Sequence, residues 1–148
     1  MKIFIGCDHN GFDMKRHLSL FLERSGYEVV DEGDSKYDPK DDFPLFAARV
    51  INAMKASDEQ QPKAILICGS GQGMCMAANR HKGIRAALCW NVHEAHSSRN
   101  DDDANVLCLS AVSTKQDEAE HIVSAWLSTP FAAAPRFVRR LKELDELV

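Results

Sequence analysis

The chain has no long apolar run, no C-x-x-C pair, no excess of positive charge and no low-complexity tract. Each absence removes a class of protein. A helix that spans a bilayer needs about 20 predominantly apolar residues, and no window comes close. The opening stretch MKIFIGCDHNGF meets charge within a few residues, so it lacks the apolar core of a secretory signal. Five cysteines, Cys7, Cys68, Cys75, Cys89 and Cys108, are odd in number and carry no paired spacing. Reduced thiols in a cytoplasmic protein are therefore expected, not a disulfide framework or a zinc site. A formal charge of −4 removes the electrostatic ground for binding nucleic acid or an anionic membrane. Neither a Walker loop nor the G-x-G-x-x-G spacing of dinucleotide-binding turns occurs.

What is present is a single domain's worth of chain: 148 residues, 45% hydrophobic, enough to bury a core without staples. Short runs rich in Ile, Val and Leu alternate with stretches of helical periodicity. KIFIGC (2–7), YEVVDE (27–32), AILIC (64–68), IRAALC (84–89) and NVLCLS (105–110) read as strands. Helices are expected over about 11–25, through FPLFAARVINAM, through MCMAANR, near 91–99, over about 115–128 and over about 135–147. This alternation predicts an α/β fold, one doubly wound, Rossmann-like parallel sheet of five strands with helices on both faces. In such a sheet, ligands bind beyond the C-terminal ends of the strands. That rule points to GCDHNG after the first strand, CGSGQG after the third and the turn after the fourth.

In the second of these, Gly69, Gly71 and Gly73 alternate with Ser70 and Gln72. Glycines before a helix let backbone N–H groups approach an anion, and they also make a tight strand-to-helix turn. Cys68 at the mouth of the loop is open to the same two readings. It is a thiol placed to act as base or nucleophile, or a packed strand residue. Asp8 and His9, ahead of the permissive Gly11, are better placed for binding than for packing. Cys75, Cys89 and Cys108 read as core. His93 and His96 share a helix face but miss the spacing of zinc proteases. Arg136 and Arg140, four apart on the last helix, can point at one anion or simply be solvated.

Together GCDHNGF, DFP, ICGSGQGMCMAANRHKGIRAALC, ANVL and R-x-x-x-R resemble the ribose-5-phosphate isomerase B family, which includes galactose-6-phosphate isomerases. The resemblance runs over nearly the whole chain. It implies metal-free and cofactor-free interconversion of a phosphorylated aldose and ketose through a cis-enediol(ate), in a homodimer or tetramer with shared active sites. By position, Cys68 is similar to the base between C1 and C2. Gly69, Ser70, Gly71, Gln72 and Gly73 resemble the cradle for the enediolate oxygen, and Ser70 a proton relay between oxygens. Asp8 and His9 match binders of the sugar and phosphate, and Arg136 and Arg140 the phosphate clamp.

Three positions depart from the pattern. Asp101 and Asp102 stand where family members carry the His-Asn pair that opens the sugar ring and contacts substrate. Val112 replaces a phosphate-binding arginine, and Phe43 the usual tyrosine. Asp101 is then the candidate for ring opening, with His96 as a possible stand-in, and Asp102 for substrate contact. The substrate expected is a phosphorylated sugar of pentose size.

Overall fold

A computed structural model describes residues 1–147 of the chain. Five strands form one sheet: β1 (Lys2–Cys7), β2 (Glu28–Asp31), β3 (Lys63–Cys68), β4 (Ala86–Leu88) and β5 (Val106–Ser110). Their order is β2-β1-β3-β5-β4 and every pairing is parallel. The helices are α1 (Phe12–Arg24), α2 (Phe43–Ala56), α3 (Gln72–Ala78), α4 (Val92–Asn100), α5 (Gln116–Ser128) and α6 (Pro135–Asp145). A single turn of 3-10 helix, His9–Gly11, leads into α1.

The strand pleat sorts side chains between two cores. Ile3, Ile5, Ile65, Ile67, Leu107 and Leu109 face α1, α4 and α5, packing on Leu18, Leu22 and Trp126. Phe4, Ala64, Leu66, Cys68, Val106 and Cys108 face α2 and α3, packing on Phe46, Val50, Ile51 and Met74. Alternate residues of one strand feeding opposite layers is why these strands read as unbroken apolar runs. The expected doubly wound sheet is thus present, and β1 and β3 flank its topological switch point.

The boundaries differ in places. The third helix begins at Gln72, two residues before the expected start, because Gly71 itself accepts the first helical hydrogen bond, from the Cys75 N–H. The fourth strand shrinks from six expected residues to Ala86–Leu88. Its flank is held by side chains: Arg85 N–H donates to Asn105 Oδ1 at 2.9 Å. On the outer edge, Asn79 takes the place of a neighbouring strand. It accepts from Ala86 N–H at 2.8 Å and donates to the Ala86 carbonyl at 3.0 Å, so the edge is blunted. α6 packs on neither core layer. Phe137 is its one buried residue among those described, and Val138, Leu144 and Leu147 are 49%, 47% and 79% exposed.

Candidate active site

The C-terminal ends of β1, β3 and β5 meet at one pole of the sheet. Cys68, last residue of β3, pairs with Ser110, last residue of β5. Beyond them the two loops are stapled together. Ser110 Oγ and Val112 N–H donate to the Gly69 carbonyl at 2.8 and 3.1 Å, and Ala111 N–H donates to the Cys68 carbonyl at 2.9 Å. The chain then doubles back at Gly71, whose N–H donates to Cys68 Sγ at 3.2 Å.

Gly71 is required here for two separate reasons. Its φ of +76° is left-handed, and a Cβ would lie 2.5 Å from Leu88 Cδ1 and 2.9 Å from the Leu109 carbonyl carbon. Gly73 is crowded by the Phe43 ring, 2.9 Å from where its Cβ would be, so Phe43 forms one wall of the loop. Ser70 Oγ accepts from the Gln72 N–H at 3.3 Å and is exposed. The remaining first-turn N–H groups of α3 stay available to a ligand oxygen.

Asp8 and His9 follow β1 into the same crevice, where the Asp8 N–H donates to the Ile67 carbonyl of β3 at 3.2 Å. Asp8 is buried, and its Oδ1 accepts the N–H groups of Asn10 and Gly11 at 3.0 and 3.3 Å. One of its oxygens is thus a cap for the turn, which leaves Oδ2 for a ligand. His9 depends on a residue the sequence did not single out. Asp41 Oδ1 lies 2.6 Å from His9 Nδ1 and accepts the His9 N–H at 3.1 Å. That hydrogen bond, with the charges of Asp41, Asp8 and Asp38, raises the His9 pKa against the opposing effect of burial. Nδ1 is therefore occupied by Asp41, and the protonation that Asp41 promotes places a second N–H, on Nε2, where an anionic ligand can accept it. The only sign in sequence was the acidic run DPKDD.

Ligand atoms of Asp8, His9 and Asp41 lie within 4.8 Å of one another, close enough to hold a cation. Two facts oppose that use. Oδ1 of both aspartates already accepts backbone N–H groups, and the protonated histidine they favour repels a metal. His93 and His96 join no comparable group among the described residues.

The remaining candidates lie elsewhere in the same chain. Asp101 and Asp102 sit between α4 and the N-terminal end of β5, the pole opposite Cys68. Asp103, next to them, lines a cavity with Lys63, which starts β3. Cys68 is five residues further along that strand, about 16 Å. Asp101 Oδ1 accepts from Asn100 Nδ2 at 2.7 Å. Burial, then the Asp101 charge, raise the Asp102 pKa, and Arg140 opposes them. Arg140 on α6 is thus a neighbour of Asp102, and Arg136, one turn earlier, stacks its guanidinium 4.4 Å from the Phe137 ring. The candidate residues thus fall into two groups within the chain: Cys68, the glycine loop, Asp8 and His9 at one pole, and Asp101, Asp102, Arg136 and Arg140 away from them.

Cys89 and Cys108 are buried as expected, but Cys75 is not a core residue. It is half-buried, and its thiol donates to the Ala86 carbonyl at 3.4 Å. A hydrogen bond from Cys108 outweighs burial and, with a lesser contribution from the Leu88 backbone, lowers the Cys75 pKa to about 7. Desolvation pushes Cys7 up to about 12 and Cys89 up to about 11.

Fold and site define a doubly wound α/β protein in which a thiol and the open N-terminal turn of a short helix lie side by side at the C-terminal end of a central strand, an arrangement suited to proton transfer beside a carbonyl. The model of the ribose/galactose isomerase family matches residues 3–144. The chain belongs to that family. It is 39% identical to the probable ribose-5-phosphate isomerase B of Mycoplasma genitalium over 146 residues, covering 99% of this chain and 93% of that one. It is 35% identical to the ribose-5-phosphate isomerase B of Mycolicibacterium paratuberculosis, covering 99% and 91%. Among solved structures, the Clostridium thermocellum ribose-5-phosphate isomerase B superposes with a TM-score of 0.93 at 39% identity, covering 99% of this chain and 97% of that one. The Mycoplasma genitalium enzyme with bound ribulose 5-phosphate superposes at 0.92 and 39% identity, covering 99% and 95%.

Proposed function

We propose that the protein interconverts ribose 5-phosphate and ribulose 5-phosphate, with Cys68 as the base. The observation that carries this reading is the Gly71 N–H on Cys68 Sγ, inside a glycine cradle at a strand's C-terminal end. A thiolate there takes the proton from the carbon beside the carbonyl and returns it to the neighbouring carbon. The cradle's N–H groups stabilise the oxygen on which charge develops, and Ser70 Oγ passes a proton between the two oxygens. No metal or redox group enters this proton balance. His9 Nε2 and the Arg136–Arg140 pair bind the phosphate, whose fixed charge positions the reacting carbons.

We assign the active form to a homodimer in which the Cys68 half-site of one copy meets the arginine–aspartate half-site of the other. The separation of the two groups within one chain supports this, as does the exposed apolar face of α6. Trp90 and Val112, 63% and 80% exposed, extend the apolar surface to be covered. Mixing protomers tests it. A heterodimer of Cys68→Ser and Arg136→Ala/Arg140→Ala copies contains one intact site if sites are shared and none if each chain works alone. Recovered activity on mixing is the expected result; two inert parents that stay inert when mixed overturn the assignment.

Asp101 and Asp102 favour a second, narrower reading, a preference for open-chain substrate. A carboxylate, unlike an imidazole, is a poor proton donor near neutral pH. Ribulose 5-phosphate, its O5 phosphorylated, forms no furanose ring, so the ketose direction is the less impaired. A panel of tetrose to hexose phosphates, run on wild type and on Asp101→His/Asp102→Asn, decides. Selective gain on ring-forming ribose 5-phosphate is expected. Wild type that turns over no sugar phosphate in the panel refutes the isomerase reading and leaves a binding protein.

A further inference from the structure

At the pole opposite Cys68, three cations surround one carboxylate. Asp103 spends both oxygens: Oδ1 accepts from Arg99 Nη1 at 2.7 Å and Oδ2 from Arg85 Nη2 at 2.9 Å. Its main-chain carbonyl takes Arg85 Nε at 3.0 Å, and the Ala104 carbonyl takes Arg99 Nη1 at 2.7 Å. Asp103 is held in the left-handed region, φ 45°, by these contacts. Lys63 is left over. It is 9% exposed, and its ammonium has no hydrogen-bond or ion-pair partner among the described residues. Burial, then the Arg99 charge, lower its pKa, and Asp103 opposes them incompletely. Arg99, 5% exposed, also has a buried Nε without an acceptor. Asp58 and Glu59 line a further cavity with Lys63, but neither is a hydrogen-bond or ion-pair partner of it: Asp58 pairs with Lys2 Nζ at 3.0 Å and Glu59 accepts the Lys2 N–H at 3.1 Å.

Buried cations without partners are costly unless something compensates them. Here the compensating group has room. Lys63, Arg99 and Asp103 line a cavity of about 230 Å3 that also reaches Arg85. The same three residues line a neighbouring cavity of about 480 Å3 whose far wall is Leu127, Pro130 and Phe131. The cluster thus offers a net two positive charges and the unused N–H donors of Lys63, and the second cavity adds a mixed wall in which Ser128 and Thr129 stand beside Leu127, Pro130 and Phe131.

We propose that Lys63, Arg85 and Arg99 form a second anion site, separate from the isomerisation site, that binds a small oxyanion of the phosphate class, free or as a monoester with a small organic body. Three cations with Asp103 as spacer match a dianion better than a monoanionic carboxylate, because one negative charge would leave the cluster positive. Phosphate is expected to bind the proposed clamp as well, so the experiment starts from the full-length Arg136→Ala/Arg140→Ala protein. Calorimetric titration with inorganic phosphate should show one site per chain. Lys63→Met, which keeps the apolar stem, should weaken it by about tenfold or more, and Lys63→Arg should retain it. Because the methionine removes an unpaired charge held close to Arg99, Lys63→Met should melt no lower than its parent without phosphate. It should also lose the rise in Tm that phosphate gives the parent. Glycerol 3-phosphate in place of phosphate separates the two ligand sources: tighter binding assigns the second cavity, with Ser128 and Thr129 in its wall, to the ester's organic body, and equal or weaker binding assigns the site to the free ion. Absence of phosphate binding in the folded clamp-deficient protein, or undiminished binding in Lys63→Met, overturns the site. Isomerase activity of Lys63→Met should stay near that of wild type, so the outcome is independent of the proposed chemistry at Cys68.

Discussion

Replacing Cys68 by serine separates chemistry from packing more cleanly than any other change at this site. Cys68 is 4% exposed, in the layer with Leu66, Met74 and Cys108, and its sulfur is the acceptor for the Gly71 N–H. Alanine would leave that buried donor unpaired, a cost of about 1–3 kcal/mol. At about 2–4 °C of Tm per kcal/mol, this is a loss of several degrees that would confuse the kinetics. Serine keeps an acceptor at nearly the same position, so Tm should fall by only a degree or two. Its hydroxyl, unlike a thiol, is not ionised to a useful extent near neutral pH. General-base catalysis contributes about 10²–10⁴-fold, or ~3–5 kcal/mol of barrier. The expected result is therefore a fall in kcat of that size with little change in KM, because phosphate binding belongs to other residues. Initial rates with ribulose 5-phosphate, beside a thermal melt of each variant, supply both quantities. A Cys68→Ser protein that melts like wild type and turns over within threefold of it would remove the thiol from the mechanism.

Gly71→Ala should be a folding mutation before it is a kinetic one. Left-handed φ costs about 1–2 kcal/mol for a residue with a Cβ, and displacing the Leu109 backbone adds about 1–3; a melt lowered by less than about 4 °C would contradict the clash. Arg140→Ala should raise KM about tenfold or more with a smaller effect on kcat, as expected for a phosphate contact shared by ground and transition states; an unchanged KM would take Arg140 out of the clamp. Cys75, with its pKa lowered to about 7, should be alkylated by iodoacetamide with a rate midpoint near neutral pH, while Cys7 and Cys89, raised to about 12 and about 11, stay unmodified at pH 8. Cys108→Ala should move the Cys75 midpoint back toward the ordinary thiol range, and peptide mapping by mass spectrometry reads each position.

Much of this protein is legible in its sequence, because much of it is local. The five strands show as apolar runs because each is buried on both faces, and the glycine loop shows because a chain reversing next to Cys68 tolerates no Cβ at Gly71. Cys68 itself was placed by position alone, since the end of a parallel strand at the switch point is where ligands sit. The misjudgements came where a side chain replaced a backbone partner. Asn79 and Asn105 hold the ends of β4, so a six-residue run became a three-residue strand.

The tertiary structure decided whatever depended on residues distant in the chain. Asp41 is 32 positions from the histidine whose Nδ1 it engages, and Ser110 is 41 from the Gly69 carbonyl it fixes. Neither pairing has a local signature, because only the return of later segments to the same sheet pole creates it. Folding also parted residues that had looked like one site, leaving Cys68 and Asp101 at opposite ends of β3 and β5. It gathered Lys63, Arg85 and Arg99, which the sequence scatters, about one aspartate. Local propensity sets where strands and turns lie; which charges end up neighbours is fixed by the strand order β2-β1-β3-β5-β4, and that order is set by how two apolar layers close over one sheet.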